Sequence, residues 1–132
     1  KVDIAIFTAA VSDLSPVIFH NKKIKKENLN KIILKKNKDI LASVSNLKKN
    51  RPKIVVGFAA ETQNHILNAK QKLFDKKCNA IVVNKISNKN KVFGEEMNKV
   101  SFVTEDKILN LKKSSKTIIA KQIIEQINNI SI

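Results

Sequence analysis

Apolar positions along this chain fall into short runs with two different periods. Val2 to Phe7 is apolar except for Asp3, Lys53 to Val56 follows the breaker Pro52 and is apolar after Lys53, and Ala80 to Val83 is apolar throughout. Short apolar runs bounded by breakers read as buried strands, with the first expected at the centre of a parallel sheet. Elsewhere the spacing is helical. Ile40, Leu41, Val44 and Leu47 share one face of a helix over 39–50, a second helix is expected over about 61–77, and Ile119, Ile123, Ile127 and Ile130 mark a last one from about Lys116 to Asn129. Ser115 suits the N-cap of that helix. Val100 to Val103 and Ile108 to Leu111 flank Glu105-Asp106 as a hairpin. Strands alternating with helices predict an α/β fold, a Rossmann-like, parallel-rich three-layer sandwich.

Three segments stand apart from that alternation. Lys23 to Lys26 and Asn30 to Lys35 read as paired extended arms, a small β extension over 23–35. Pro16 is expected to stop regular structure. A polar loop over 84–99 is long enough for a functional flap. The first strand has no helix ahead of it, so its second neighbour is expected from residues preceding Lys1.

The ends of the expected strands carry the clearest hint of a site. In Lys53-Ile54-Val55-Val56-Gly57-Phe58-Ala59-Ala60-Glu61-Thr62 the strand meets a glycine, then two alanines, then a helical pattern opening at Glu61. A bare turn admits a ligand to the main chain, and a helix N-terminus offers unpaired N–H groups. A turn of this kind equally serves packing alone. Thr8 to Asp13, Gly57 to Thr62 and Asn84 to Ile86 should line one sheet edge, where open α/β sheets bind ligands. Lys70 and Lys72 follow in the helix, although any single lysine among 25 is most simply a solvated side chain.

Composition narrows the classes. A chain of 132 residues makes one domain or part of one. The net charge of +15 raises the question of nucleic acid. Yet Arg51 is the only arginine, and 60 of the 132 residues are Lys, Asn or Ile, all with A/T-rich codons. The basic residues are spread without interleaved aromatics, so a nucleic-acid partner is not expected. Attraction of anionic ligands such as phosphates survives. The run Ile4 to Val11 is too short to span a bilayer or to serve as a secretory signal, which predicts no membrane association and a cytoplasmic location. The single Cys78 is read as an inert thiol beside a strand. His20 and His65 lack ligand-spaced neighbours, so no metal site is expected from them. G-x-S-x-G, Walker A, H-E-x-x-H and G-x-G-x-x-G motifs are absent.

Seven short motifs in order carry a resemblance. They are Ala9-Ala10-Val11-Ser12-Asp13, Lys23-Ile24-Lys25-Lys26, Lys36-Asn37-Lys38-Asp39-Ile40-Leu41, Gly57-Phe58-Ala59-Ala60-Glu61-Thr62, Ala69-Lys70-Gln71-Lys72-Leu73, Ile81-Val82-Val83-Asn84 and Phe93-Gly94. Together they resemble the phosphopantothenate–cysteine ligase family, in bacteria usually the C-terminal half of a bifunctional coenzyme A biosynthesis flavoprotein. The resemblance implies CTP and Mg²⁺, with 4′-phosphopantothenate and L-cysteine as the other substrates. The carboxylate would be activated as an acyl-cytidylate with loss of pyrophosphate, then attacked by the cysteine amine, releasing CMP.

The same resemblance implies roles. Lys72 matches the lysine of A-x-x-K-L and would stabilise charge on the α-phosphate. Asn37 matches the asparagine of K-N-P-D and would orient the activated acyl group. Gly57, Phe58, Ala59, Ala60, Glu61, Asn84 and Phe93 would bind the nucleotide. A homodimer paired through the β extension is implied, as is a flavin-dependent decarboxylase domain in the same native chain. The departures are Lys38 for the family's proline, Lys85 for the aspartate of A-N-D-V, and Glu95-Glu96 for the Ser-Asp of F-G-S-D-x-N. The family's glycine-rich segment would precede Val2, so residues 1–132 correspond to part of that domain. A non-catalytic nucleotide-binding or assembly module is the other reading.

Overall fold

The computed structural model describes residues 1–25, 31–87 and 94–130. They fall into two compact units, residues 10–40 and residues 1–9 together with 41–132. The larger unit is built on a five-stranded mixed sheet. Its strands are β1 (Ile4–Phe7), β4 (Ile54–Glu61), β5 (Ala80–Lys85), β7 (Val100–Val103) and β8 (Ile108–Asn110), adjacent in that order. β1, β4 and β5 run parallel, while β7 and β8 are antiparallel additions. The smaller unit holds β2 (Leu14–Pro16) paired antiparallel with β3 (Leu34–Lys36). β6 (Met97–Asn98) pairs with β9 (Ser114–Ser115) in a short ribbon of the larger unit.

Alternation along the central strands divides the core. Ile54, Val56, Ala80, Val82, Val100 and Phe102 face helix α3 (Lys116–Asn128) and meet its Ile119, Ile123 and Ile127. Val55, Ala59, Ile81, Val83 and Val103 face the other way, onto Ala69 and Leu73 of α2 (His65–Lys76), with Leu41 and Val44 of α1 (Ile40–Ser45) alongside. This is the expected three-layer α/β sandwich, Rossmann-like in its parallel half. Ser115 caps α3 as expected, its hydroxyl accepting from Ile118 N–H. The hairpin over 100–111 is present. Cys78 lies buried in the α2-side core. No helix among the described residues is long and apolar enough to cross a membrane.

Three expectations need correction, and a fourth concerns residues outside the described set. Gly57 is not a turn: β4 runs on to Glu61, and Gly57 pairs with Phe7 on one side and Ile81 on the other. Its missing side chain serves packing, since a Cβ there would run into Leu41 Cδ2 and come within 2.9 Å of Ile81 Cδ1. Glu61 therefore ends a strand instead of opening a helix; the reversal falls at Thr62 to Asn64, with Asn64 at φ 48°. Next, among the described residues β1 pairs with β4 alone and stands at the end of the strand order, with Ile4 and Ile6 exposed; the second neighbour is expected from residues preceding Lys1, outside that set. Third, β3 pairs with Leu14–Pro16 and not with Lys23–Lys26, of which Lys26 lies outside the described residues. Pro16 fits a strand in this two-stranded pair because its missing N–H costs no ladder bond when that side faces away. Finally, α1 ends at Ser45, short of the expected Asn50: Asn46 Nδ2 bonds back to Ala42 O at 2.7 Å, and Asn50 adopts φ 59°.

Gly57→Val should lower unfolding free energy by about 1–3 kcal/mol, the usual cost of overpacking a filled core. Urea denaturation measures it, and an unchanged midpoint would show that Leu41 and Ile81 yield freely.

Candidate functional site

β1, β4 and β5 are parallel, so their C-terminal ends share one edge of the sheet. β4 outlasts β1 there: the β1 ladder ends at Phe7 opposite Gly57, four residues before Glu61. Ile54 N–H donates to Asp3 O at 3.1 Å, which sends the main-chain groups of Ile54, Val56, Phe58 and Ala60 toward the β1 side. Those of Val55, Gly57, Ala59 and Glu61 address β5, and Ile86 N–H accordingly donates to Glu61 O at 2.8 Å. The N–H and C=O of exposed Ala60 thus point past the end of β1. Ala59 differs: its side chain is buried and its main chain is taken by β5 opposite Val83.

On the α2 face of this edge, Glu61 gathers two side chains from the helix. Lys72 Nζ lies 2.6 Å from Glu61 Oε1, and Asn68 Nδ2 donates to Glu61 Oε2 at 2.8 Å. Asn68 and Lys72 are one helical turn apart, so both reach the strand end from a single face of α2. The Glu61 side chain is 15 % exposed and that of Lys72 41 %, so the carboxylate is the anchored partner and the ammonium keeps an open side. Burial pushes the Glu61 carboxyl up. The hydrogen bonds from Lys72 and Asn68 and the Lys72 charge outweigh it and hold the group below the usual carboxylate value of 4.5.

A folded-state value below the unfolded one gives stability that is complete above about pH 4.5 and lost as the pH falls through the lower folded value. The stability gap between wild type and Glu61→Gln should therefore be widest near neutrality and narrow below about pH 4.5, as followed by denaturation across a pH series. A gap independent of pH would contradict the pairing.

The opposite face of the edge is built from amides. Asn84, opposite Ala60 in the β4–β5 ladder, is 8 % exposed, and its Oδ1 accepts from Asn98 Nδ2 at 2.9 Å. Asn98 is also buried and sits in β6, and its Oδ1 accepts from Lys99 N–H at 2.8 Å. Phe93 lies outside the described residues. In the smaller unit Asn37 is held by its own surroundings: Ser15 Oγ donates to its Oδ1 at 2.7 Å, its Nδ2 donates to Ser12 O at 2.9 Å, and its N–H donates to Asp13 O at 2.8 Å. The structure thus brings Ala60, Glu61, Lys72 and Asn84 to one sheet edge, divided between its two faces.

Residues 1–130 match the sequence profile of the DNA/pantothenate metabolism flavoprotein C-terminal domain. The chain belongs to that family. It is 37 % identical over 128 residues to the coenzyme A biosynthesis bifunctional protein CoaBC of Borreliella burgdorferi, a match covering 95 % of this chain and 32 % of that protein. It is also 37 % identical, over 131 residues, to a cysteine/cysteine sulfinic acid decarboxylase from an unknown prokaryotic organism, covering 96 % and 36 %. A crystal structure of the C-terminal domain of CoaBC superposes with a TM-score of 0.72 at 31 % identity, covering 96 % of this chain and 54 % of that one. This flavoprotein C-terminal domain spans about a third of the length of the curated relatives it matches.

Among the described residues of this flavoprotein domain there is no group of three His, Cys, Asp or Glu side chains able to hold a metal. Glu61, the acidic residue at the edge, is already committed to Lys72 and Asn68. Sequence reasoning passed over Asn68 and met Asn98 only as the last position of the F-G-S-D-x-N match, with no role attached. Each is one asparagine among 16, and only the fold sets it beside Glu61 or Asn84.

Proposed function

We infer that this domain carries the ligation step of coenzyme A biosynthesis: CTP-dependent joining of 4′-phosphopantothenate to L-cysteine. The carboxylate attacks the α-phosphorus of CTP, forming the acyl-cytidylate and releasing pyrophosphate. The cysteine amine then adds to the acyl carbon and CMP departs, leaving phosphopantothenoylcysteine. Two relatives of equal identity bear different activities in their names, so similarity alone does not choose the reaction. The observation that carries it is the Lys72 ammonium held by Glu61 at the sheet edge, beside the bare main chain of Ala60.

Each residue then has a task. Lys72 stabilises negative charge on the phosphates, an electrostatic role that gains strength where water is scarce. Magnesium, if bound with CTP, would supply further charge neutralisation at the phosphates. Ala60, with Gly57, Phe58 and Ala59 preceding it, supplies main-chain groups to the base, and Asn84 and Phe93 complete the nucleotide site. Asn37 ties Ser12 to Ser15 of β2, and the one Nδ2 hydrogen not given to Ser12 would donate to the acyl carbonyl. The rest of the complete protein carries the flavin-dependent decarboxylase, and the protein works in the cytoplasm.

Calorimetry of the complete protein with CTP and Mg²⁺, against ATP as control, tests the reading. Binding of CTP in preference to ATP is expected, and absence of CTP binding overturns it.

The β extension supports a homodimer. Ile32, Ile33 and Leu34 are each more than half exposed, at 59 %, 53 % and 51 %, an apolar stretch that a lone two-stranded pair does not bury. Replacing Ile32 and Leu34 by Lys should yield a monomer in light scattering that binds nucleotide weakly and does not ligate. A wild-type protein that is monomeric at high concentration would refute the dimer.

A further inference from the structure

The orientation of the Asn84 amide is fixed by a chain of contacts that begins at a donor unable to invert. Lys99 N–H, a main-chain group, points at one atom of the Asn98 amide at 2.8 Å, and that atom must be the oxygen. The other end of Asn98 is then Nδ2, which donates across 2.9 Å to Asn84, and the receiving atom must be Oδ1. Asn84 is left with its oxygen engaged. Its nitrogen, bearing two N–H donors, has no hydrogen-bond partner among the described residues. The residue is 8 % exposed and stands opposite Ala60 at the sheet edge. Asn84 Nδ2 is not among the buried polar atoms that lack a partner, so it reaches the edge where a ligand acceptor could meet it, while the rest of the side chain is held from behind.

We propose that Asn98 is a positioning residue that fixes Asn84 as a donor-only specificity residue, which reads a carbonyl oxygen of a bound substrate. This rests on the ligase reading, which supplies two sources for the oxygen: the pyrimidine 2-carbonyl of CTP and an amide carbonyl of 4′-phosphopantothenate. Ser or Asp at position 98 would still accept from Lys99 N–H, but Asp could not donate to Asn84. In Asn98→Asp the Asn84 amide must turn its nitrogen toward Asp and present an oxygen to the substrate.

The test is nuclear magnetic resonance of the side-chain amides in the complete protein, with the Asn84 pair assigned by its disappearance in Asn84→Asp. Titration with CTP and, separately, with 4′-phosphopantothenate should shift the Asn84 pair with one of them, which identifies the source. Asn98→Asp should then weaken that ligand roughly tenfold, the effect of about one hydrogen bond, and leave the other ligand's affinity unchanged. The wild-type titration decides the matter even where the variant fails to fold. A ligand pair that binds without moving Asn84 overturns this inference and leaves the ligase reading standing. So does a folded Asn98→Asp protein with a lower melting temperature and unaltered affinities, the mark of a purely structural pair. Absence of binding by both ligands overturns the two readings together.

Discussion

Lys72→Gln in the complete protein should lower product formation by about two to three orders of magnitude, the usual cost of removing one preorganised stabiliser of developing charge. Gln keeps most of the side-chain length and a hydrogen-bond donor for Glu61, so it removes the charge and little else. The fall should appear in kcat, because the charge on the α-phosphate grows as the acyl-cytidylate forms. Pyrophosphate release with saturating CTP measures it. Stability should change by only about 1 kcal/mol, since the Lys72 side chain is 41 % exposed and such partly solvated pairs contribute little. Lys72→Arg keeps the charge and should recover part of the rate. Undiminished turnover in Lys72→Gln would remove Lys72 from the reaction and leave it as the structural partner of Glu61.

The second large effect concerns folding. Arg51→Lys should destabilise the protein by roughly 3 kcal/mol, because hydrogen bonds to a charged group contribute about 1.5–3 kcal/mol and several are lost at once. The guanidinium donates from Nε to Ser45 O at 2.7 Å and from Nη1 to Pro52 O at 2.8 Å and Lys53 O at 3.3 Å. From Nη2 it donates to Lys77 O and to Asn79 Oδ1, both at 3.1 Å. Asn79 Oδ1 also accepts from Val55 N–H at 2.9 Å. One planar fork thus ties the end of α1, the entry to β4, the end of α2 and the entry to β5. A lysine has a single nitrogen and cannot span those acceptors. Guanidinium denaturation of the two proteins measures the difference, and a loss below about 1 kcal/mol would show that the carbonyls find water instead.

The layers were legible because they depend on period. Ile119, Ile123 and Ile127 at helical spacing, and the apolar runs at 54–56 and 80–83, face the core as expected. The errors lie where distant residues decide. Gly57 looks like a turn in the sequence, but it is paired on both sides within the sheet, and it is glycine there because a Cβ would meet Leu41 and Ile81. The partner of β3 is a three-residue strand containing Pro16, which no local pattern marks. The candidate site is half legible: Glu61, Lys72 and Asn84 stand out in the sequence and Asn98 closes the F-G-S-D-x-N match, whereas Asn68 carries no signal in a chain so rich in asparagine. Arg51 stands out in the sequence only as the single arginine, and its five acceptors come from segments that only the fold unites.

Because β4 assigns its tasks by alternation, its last residues obey a rule of length more than of identity. Ala60 offers its main chain toward one side and Glu61 holds Lys72 on the other, one position apart. Deleting a single residue between Gly57 and Glu61 would exchange those directions, because a one-residue slip in a strand turns every side chain to the opposite face. Glu61 would then turn toward α3, away from Lys72, and the main-chain groups now offered past β1 would belong to a residue of the other parity. In this stretch an insertion or deletion of one residue would undo both arrangements at once.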